Sequence, residues 1–390
     1  MFASALGGLS GGSYSTYYGR KPVYLVGLSL VVVGSLGVAF ARSIRELMFW
    51  RFFQTFGASP GISVGAGVIG DVYRLEQRGT AMGVFLAAVL LGPTLAPLAG
   101  GLAAHYASWR AMQLMLGLAG LLGFTTLYLV FPETSHPGSL GVYQAKASGI
   151  KPGRTYKFIN PFRSLLLLRS PLLMSVSIAT FLVLLTDFAM LTPMAYTLGK
   201  RYNIENEVFL GACFLPNGLG DIVGAPLAGR ISDKLVVRYR ERRGGVWYPE
   251  DRLRVTVFAA ATFVPLSSLF FGLLHKYVGG TVGLVLNLIC LFMNGVGVQM
   301  VLGPTSAYLV DIMHSRSAET IAANNGFRSA LISAALAVTL PLIEWIGIAP
   351  AYAVFAILAW GGFGILWMVV RYGDRLRASN DVGFSSATNN

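Results

Sequence analysis

Charged residues are scarce in this sequence. Asp, Glu, Lys and Arg make up 12% of 390 residues, roughly half the share of an average soluble domain, which excludes an ordinary soluble enzyme. Cysteine is nearly missing. Cys213 and Cys290 each sit inside an apolar run, so there is no disulfide framework. The four histidines, His105, His136, His275 and His314, fall at or beyond the ends of such runs without metal-ligand spacing, so no metal site is expected. No catalytic triad, phosphate loop or nucleotide-binding pattern occurs, so the chain reads as a non-enzyme without cofactors, and any work it does draws on an ion gradient. What is abundant is hydrophobicity, 54% of residues, gathered into runs such as 23–40 and 111–131. Each is close to the ~20 residues a helix needs to cross a bilayer. The fold class is an all-α membrane protein.

A helix-length window gives ten spans, at 22–40, 46–71, 80–101, 110–131, 171–197, 207–228, 254–275, 280–312, 318–345 and 348–370. Ahead of the first, the apolar part from Phe2 to Leu9 is too short to cross and reads as the tail of a further helix. The formal net charge of +13 would suggest nucleic acid in a soluble chain, but its distribution says otherwise. The loops at 19–21, 72–79, 132–170, 229–253 and 313–317, with Arg254 at the mouth of the next span and the C-terminal tail, hold 22 of the 30 Lys and Arg. That side is the cytoplasm by the positive-inside rule. The basic loops then face anionic lipid headgroups, and the segment 235–254, with Arg238, Arg240, Arg242 and Arg243 among Leu235, Val236, Val237 and Tyr239, is expected to rest on the inner leaflet.

Two landmarks repeat. Gly12-Ser13-Tyr14-Ser15-Thr16-Tyr17 and Gly229-Arg230-Ile231-Ser232-Asp233-Lys234 lie 217 residues apart, and the acids that close the second span after each, Asp71 and Asp311, lie 240 apart. The difference is about the length of the basic insert 235–254, so two matching halves are expected, an architecture transporters use with the substrate site at the repeat interface.

The span at 80–101 contains Gly83, Gly92, Pro93, Pro97, Gly100 and Gly101 at a spacing that resembles the antiporter motif of the major facilitator superfamily, with Ala96 in place of one glycine. Small residues on one face let a second helix approach, and the prolines leave carbonyls unbonded. Gly19-Arg20-Lys21 resembles the end of that superfamily's loop between helices two and three, and Arg51-Phe52-Phe53-Gln54-Thr55-Phe56-Gly57 resembles its fourth-helix pattern. Phe131-Pro132-Glu133-Thr134, the stretch from Arg243 to Leu253, and His314-Ser315-Arg316-Ser317-Ala318-Glu319 are similar to the fungal twelve-helix drug:proton antiporter branch of quinidine-resistance type.

The resemblance implies the major facilitator fold, two pseudo-symmetric six-helix halves, with the first helix and most of the second missing here. It implies a proton-coupled multidrug antiporter that exports small amphipathic or cationic compounds, its partners being substrate, protons and lipid, with no nucleic acid. It is expected as a monomer in the plasma membrane, the vacuolar membrane being the second choice. The alternative is a non-transporting remnant or membrane receptor derived from such a transporter. The expected domains are a truncated N-terminal half (1–131), a cytoplasmic linker (132–170), a C-terminal six-helix half (171–371) carrying the cytoplasmic insert 235–254, and a cytoplasmic tail (372–390). Where the family pattern has an Asp and an Arg, this chain has Thr16 and Tyr17, so the charged gate contact of the first half is incomplete. The second half keeps Asp233 and Lys234.

A charge at the bilayer centre costs at least ~3 kcal/mol on insertion scales, so each one within a span is a candidate. Arg51, Asp187 and Asp221 are the proton-coupling candidates. Arg51 carries the family match, and Asp187 has no cation near it in sequence. Burial lets a carboxylate gain a proton readily, because desolvation disfavours its charged form. Gly19, Arg20, Lys21, Asp71, Gly229, Arg230, Asp233, Lys234, Asp311 and Arg328 are the gate candidates, with Asp311 and Arg328 as a prospective pair.

Overall fold

The computed structural model describes residues 2–135, 160–204, 206–313 and 316–378. Most of the expected linker, His314 and Ser315 of the third branch stretch, and the tail from 379 lie outside the described residues. Within them the chain is helical without a strand: α1 (Phe2–Tyr18), α2 (Arg20–Phe40), α3 (Ile44–Ala58), α4 (Pro60–Val72), α5 (Arg78–Tyr106), α6 (Trp109–Val130), α7 (Pro171–Leu191), α8 (Glu207–Ala212), α9 (Leu215–Arg242), α10 (Arg254–Ala261), α11 (Phe263–Tyr277), α12 (Gly280–Ile312), α13 (Ser317–Ile346) and α14 (Ile348–Ala378).

Among the described residues, nine helical segments are long and apolar enough to cross a membrane, as against ten expected. The tenth, 46–71, is two helices. Pro60 brings no N–H to the Phe56 carbonyl one turn back, so α3 ends at Ala58, and Ser59 closes it by donating from its N–H and Oγ to the Thr55 carbonyl at 3.1 and 2.7 Å. The N-terminal segment, expected as the tail of a helix, is helical from Phe2 to Tyr18, and hydroxyls there bond back into it, as Ser10 does to the Leu6 carbonyl at 2.8 Å.

The chain divides into two compact units. The first comprises Met1–Arg74, Ala107–Ser170 and Leu309–Ala330, so it holds α1–α4, α6, the end of α12 and the start of α13. The second comprises Leu75–Tyr106, Pro171–Tyr308 and Leu331–Asn390. In it α5 lies along α9, α7 and α11 lie along α14, and the core is apolar, with Val183, Val264, Val301 and Leu366 in one cluster and Met190, Leu198, Phe271 and Leu291 in another.

The insert is helical in its first half and folded against its unit in its second. Residues 235–242 continue α9, Gly244 and Gly245 turn the chain at φ +65° and +101°, and Trp247, Glu250, Asp251, Arg252 and Leu253 are buried. Asp251 accepts from Arg243 at 2.5 and 2.9 Å and from Arg254 at 3.2 Å. These pairings fold the second half of the insert into its unit.

Candidate functional site

In the first unit the turn between α1 and α2 is locked by charge. Gly19 takes φ +104°, a conformation that favours glycine, and directs two N–H groups at the start of α2 toward one carboxylate: Arg20 N donates to Glu133 Oε1 at 2.8 Å and Lys21 N to Oε2 at 3.0 Å. Burial works to raise the Glu133 pKa, but the N–H groups of Arg20, Ser135 and Lys21 outweigh it and hold the carboxyl below its ordinary value. Lys21 Nζ donates to the Tyr128 carbonyl at 3.0 Å. Arg20 itself is buried, pairing Nε with Asp71 Oδ2 at 3.0 Å and donating Nη1 to Ser15 Oγ at 3.1 Å. Two of the sequence motifs, Gly19-Arg20-Lys21 and Phe131-Pro132-Glu133-Thr134, are thus one structure. Thr16, in the place of the family's acid, donates to the Gly12 carbonyl at 3.2 Å, and the charged contact of this turn is Arg20–Asp71.

In the second unit the matching residues lie within α9. Asp233 accepts from Gly79 N (3.1 Å), Thr80 N (2.7 Å) and Thr80 Oγ1 (2.7 Å), so it caps the N-terminus of α5 where the helix dipole favours a negative charge. Arg252, fully buried, donates Nη1 to Asp233 Oδ1 at 2.7 Å. Lys234 is exposed, as is Arg230. Gly229 packs against the Gly79 carbonyl with no room for a Cβ. Its counterpart Gly12 packs in the same way against Ala318 and Ala322, one turn into α13. The two sequence landmarks therefore do the same job, each setting a glycine against the start of a long helix.

The antiporter motif divides by face. A Cβ on Gly83 would come within 2.5 Å of the Ala225 carbonyl of α9, and one on Gly101 within 2.7 Å of the Glu207 carbonyl of α8, whereas Gly92 and Gly100 look into open space. Pro93 and Pro97 lie inside an uninterrupted α5, and the Pro97 carbonyl meets Gly211. Close helix approach thus accounts for Gly83 and Gly101 and leaves Gly92 and Gly100 free for another role.

Of the charges within spans, Arg51 is exposed on α3 and donates Nη1 to Gln54 Oε1 at 2.9 Å; Gln54 Nε2 in turn donates to Ser35 Oγ at 2.8 Å and Gln113 Oε1 at 2.9 Å. Arg328 is held by its own helix, donating Nη2 to Asn325 Oδ1 at 2.9 Å, and its buried Nε has no hydrogen-bond partner. Asp311 is buried at the end of α12. Asp187 and Asp221 come together in the second unit, within electrostatic reach of each other. Asp187 Oδ1 accepts from Asn217 Nδ2 at 2.9 Å, and Asp221 is hydrogen-bonded by the Gln299 side chain. Among the described residues neither acid forms an ion pair. Sequence reasoning found both acids but missed Glu133, Arg252, Asn217 and Gln299. The only signal for the first two was their place within the branch-level stretches, and the amides gave none.

Long apolar helices that bury carboxylates, with capped charge pairs at helix ends, define a polytopic membrane protein, and the comparisons give its class. The family model described as Major Facilitator Superfamily matches residues 1–337, and the chain belongs to that superfamily. It is 28% identical over 382 residues to Efflux pump radE of Floropilus chiversii, covering 93% of this chain and 70% of that one. It is 30% identical over 268 residues to Multidrug transporter AQR1 of Candida glabrata, covering 62% and 45%. Among solved structures it superposes on the proton:xylose symporter XylE with a TM-score of 0.67 at 14% identity, covering 94% of this chain and 84% of that chain, which establishes the fold. The protein is therefore a multi-pass membrane protein of the major facilitator fold, helical throughout its described residues outside turns and loops and related to a fungal efflux pump.

Proposed function

We propose that this protein is a proton-coupled exporter of small amphipathic or cationic compounds, working as a monomer in the plasma membrane with its basic loops and C-terminus in the cytoplasm. The observation that carries the reading is Asp187: a carboxylate in a membrane helix, 7% exposed, held by one amide and by no cation among the described residues. A charge so placed is expensive, and taking up a proton removes it, which is what coupling requires. The export direction is taken from the relatives, whose names are those of an efflux pump and a multidrug transporter, and the substrate class from the motif resemblance. Arg51 is assigned to tuning, through its amide chain to α2 and α6, and the halves are assigned as 1–131 and 171–371, each carrying one of the matched glycines, Gly12 of α1 and Gly229 of α9. The capped pairs Arg20–Asp71 and Asp233–Arg252 are assigned as gate contacts that break and reform as access alternates. Inverted membrane vesicles from cells making the protein test this. An imposed inside-acid gradient should drive accumulation of a lipophilic cationic dye, and a protonophore should abolish it. Accumulation indifferent to the protonophore would refute proton antiport.

A further inference from the structure

The acid cluster has a deficit of donors. Asp187 of α7, Asn217 and Asp221 of α9 and Gln299 of α12 meet near Gly295, where an added Cβ would lie 3.0 Å from the Asp221 N–H nitrogen, so α12 and α9 touch backbone to backbone. Asn217 and Asp221 are one turn apart on one face of α9. The amide of Asn217 is engaged with Asp187, and that of Gln299 with Asp221. Two acceptors are left over. Asn217 Oδ1 and Asp221 Oδ1 are both buried without a hydrogen-bond partner, in residues 3% and 7% exposed, and each orphaned group carries a desolvation cost.

Neighbouring groups do not fill the gap. Asp187 is the only titratable residue of α7. On α9 the next charges are Arg230 and Asp233, more than two turns away. From α12 come Cys290 and Tyr308, the latter donating to Glu250 Oε1 at 3.3 Å; from α14 comes Tyr352, donating to the Ala189 carbonyl at 3.0 Å; α11 offers His275 and α5 His105, each near a helix end. One proton on Asp221 turns an orphaned acceptor into a donor, and Asn217 Oδ1 is the orphaned acceptor one turn back. The i, i+4 spacing puts the two side chains on one face of α9, so a single proton between them would satisfy both acceptors, while the Asn217 amide holds the other carboxylate.

We propose that Asp187 and Asp221 form one protonation site that holds a single shared proton, with Asn217 as the positioning residue between them. This deepens the proton-coupled reading and rests on it for its role in transport, but its test needs no substrate. The full chain, reconstituted in lipid, is titrated with pH while the infrared carbonyl band of protonated carboxylic acid is followed. Wild type should show one such buried band. Asp187→Asn should move the midpoint for Asp221 down by about one pH unit or more, since the like charge is gone, and Asp221→Asn should do the same for Asp187. Asn217→Ala should move the midpoint up, because the ionised form loses its donor. Midpoints unchanged in both neutralised variants, or a midpoint that follows sodium concentration at constant pH, would overturn the shared site. Protonophore-insensitive export with the infrared behaviour intact would instead remove the coupling reading and leave the shared proton standing.

Discussion

Arg252 and Asp233 make the strongest energetic prediction. Arg252 is fully buried and its partner nearly so, and breaking a buried pair by removing one member typically costs about 3–5 kcal/mol because the other charge is left uncompensated. Here the stranded acid would keep three donors at the start of α5, so Arg252→Met should fall at the low end, about 3 kcal/mol. Asp233→Ala loses the pair and the helix cap together, adding about 1 kcal/mol. Since both variants remove the same contact, the effects should not add: the double variant should be about 2 kcal/mol less damaging than the sum, within the range seen for residues in contact. Equilibrium unfolding in mixed detergent micelles, followed by circular dichroism, measures all three. Additivity within about 0.5 kcal/mol would show that the pair contributes nothing beyond its separate hydrogen bonds and would refute the reasoning.

The antiporter motif should respond by face: Gly83→Leu, which overpacks against the Ala225 carbonyl, should cost about 1–3 kcal/mol and reduce monodisperse yield on size-exclusion chromatography, whereas Gly92→Ala and Gly100→Ala should leave yield unchanged. Equal loss at all three positions would contradict the assignment. Glu133 has a lowered pKa, so its contribution is present in full above the ordinary carboxylate range and is lost as pH falls through that range and below it. Glu133→Gln should therefore melt lower than wild type by a constant margin from pH 7 to about pH 5, the margin closing in more acid solution; a margin that widens on acidification would reverse the sign of the argument.

Much of this was legible in the chain because membrane helices announce themselves by length and hydropathy, and because glycines at 12, 83, 101 and 229 sit where helix backbones touch. The break at Ser59–Pro60 was hidden by the continuous apolarity of 46–71, which a window averages across. The fold of the insert's second half was hidden for a different reason. Asp233 and Asp251 partner Arg252 and Arg243 from 19 and 8 residues away, and charge pairing at that distance has no local pattern. Asn217 and Gln299 were invisible for the same reason: an amide becomes part of a site only when helix packing brings it to a carboxylate.

The central claim is that a proton on the Asp187 site drives export, and pH-jump flux with the Asp187→Asn variant tests it most directly. In proteoliposomes loaded with a lipophilic cationic dye, wild type should move dye against its gradient when a pH gradient is imposed. Asp187→Asn should lose that uphill movement while still exchanging labelled for unlabelled dye at equal concentrations. Uphill transport by Asp187→Asn with an unchanged pH dependence would contradict the account.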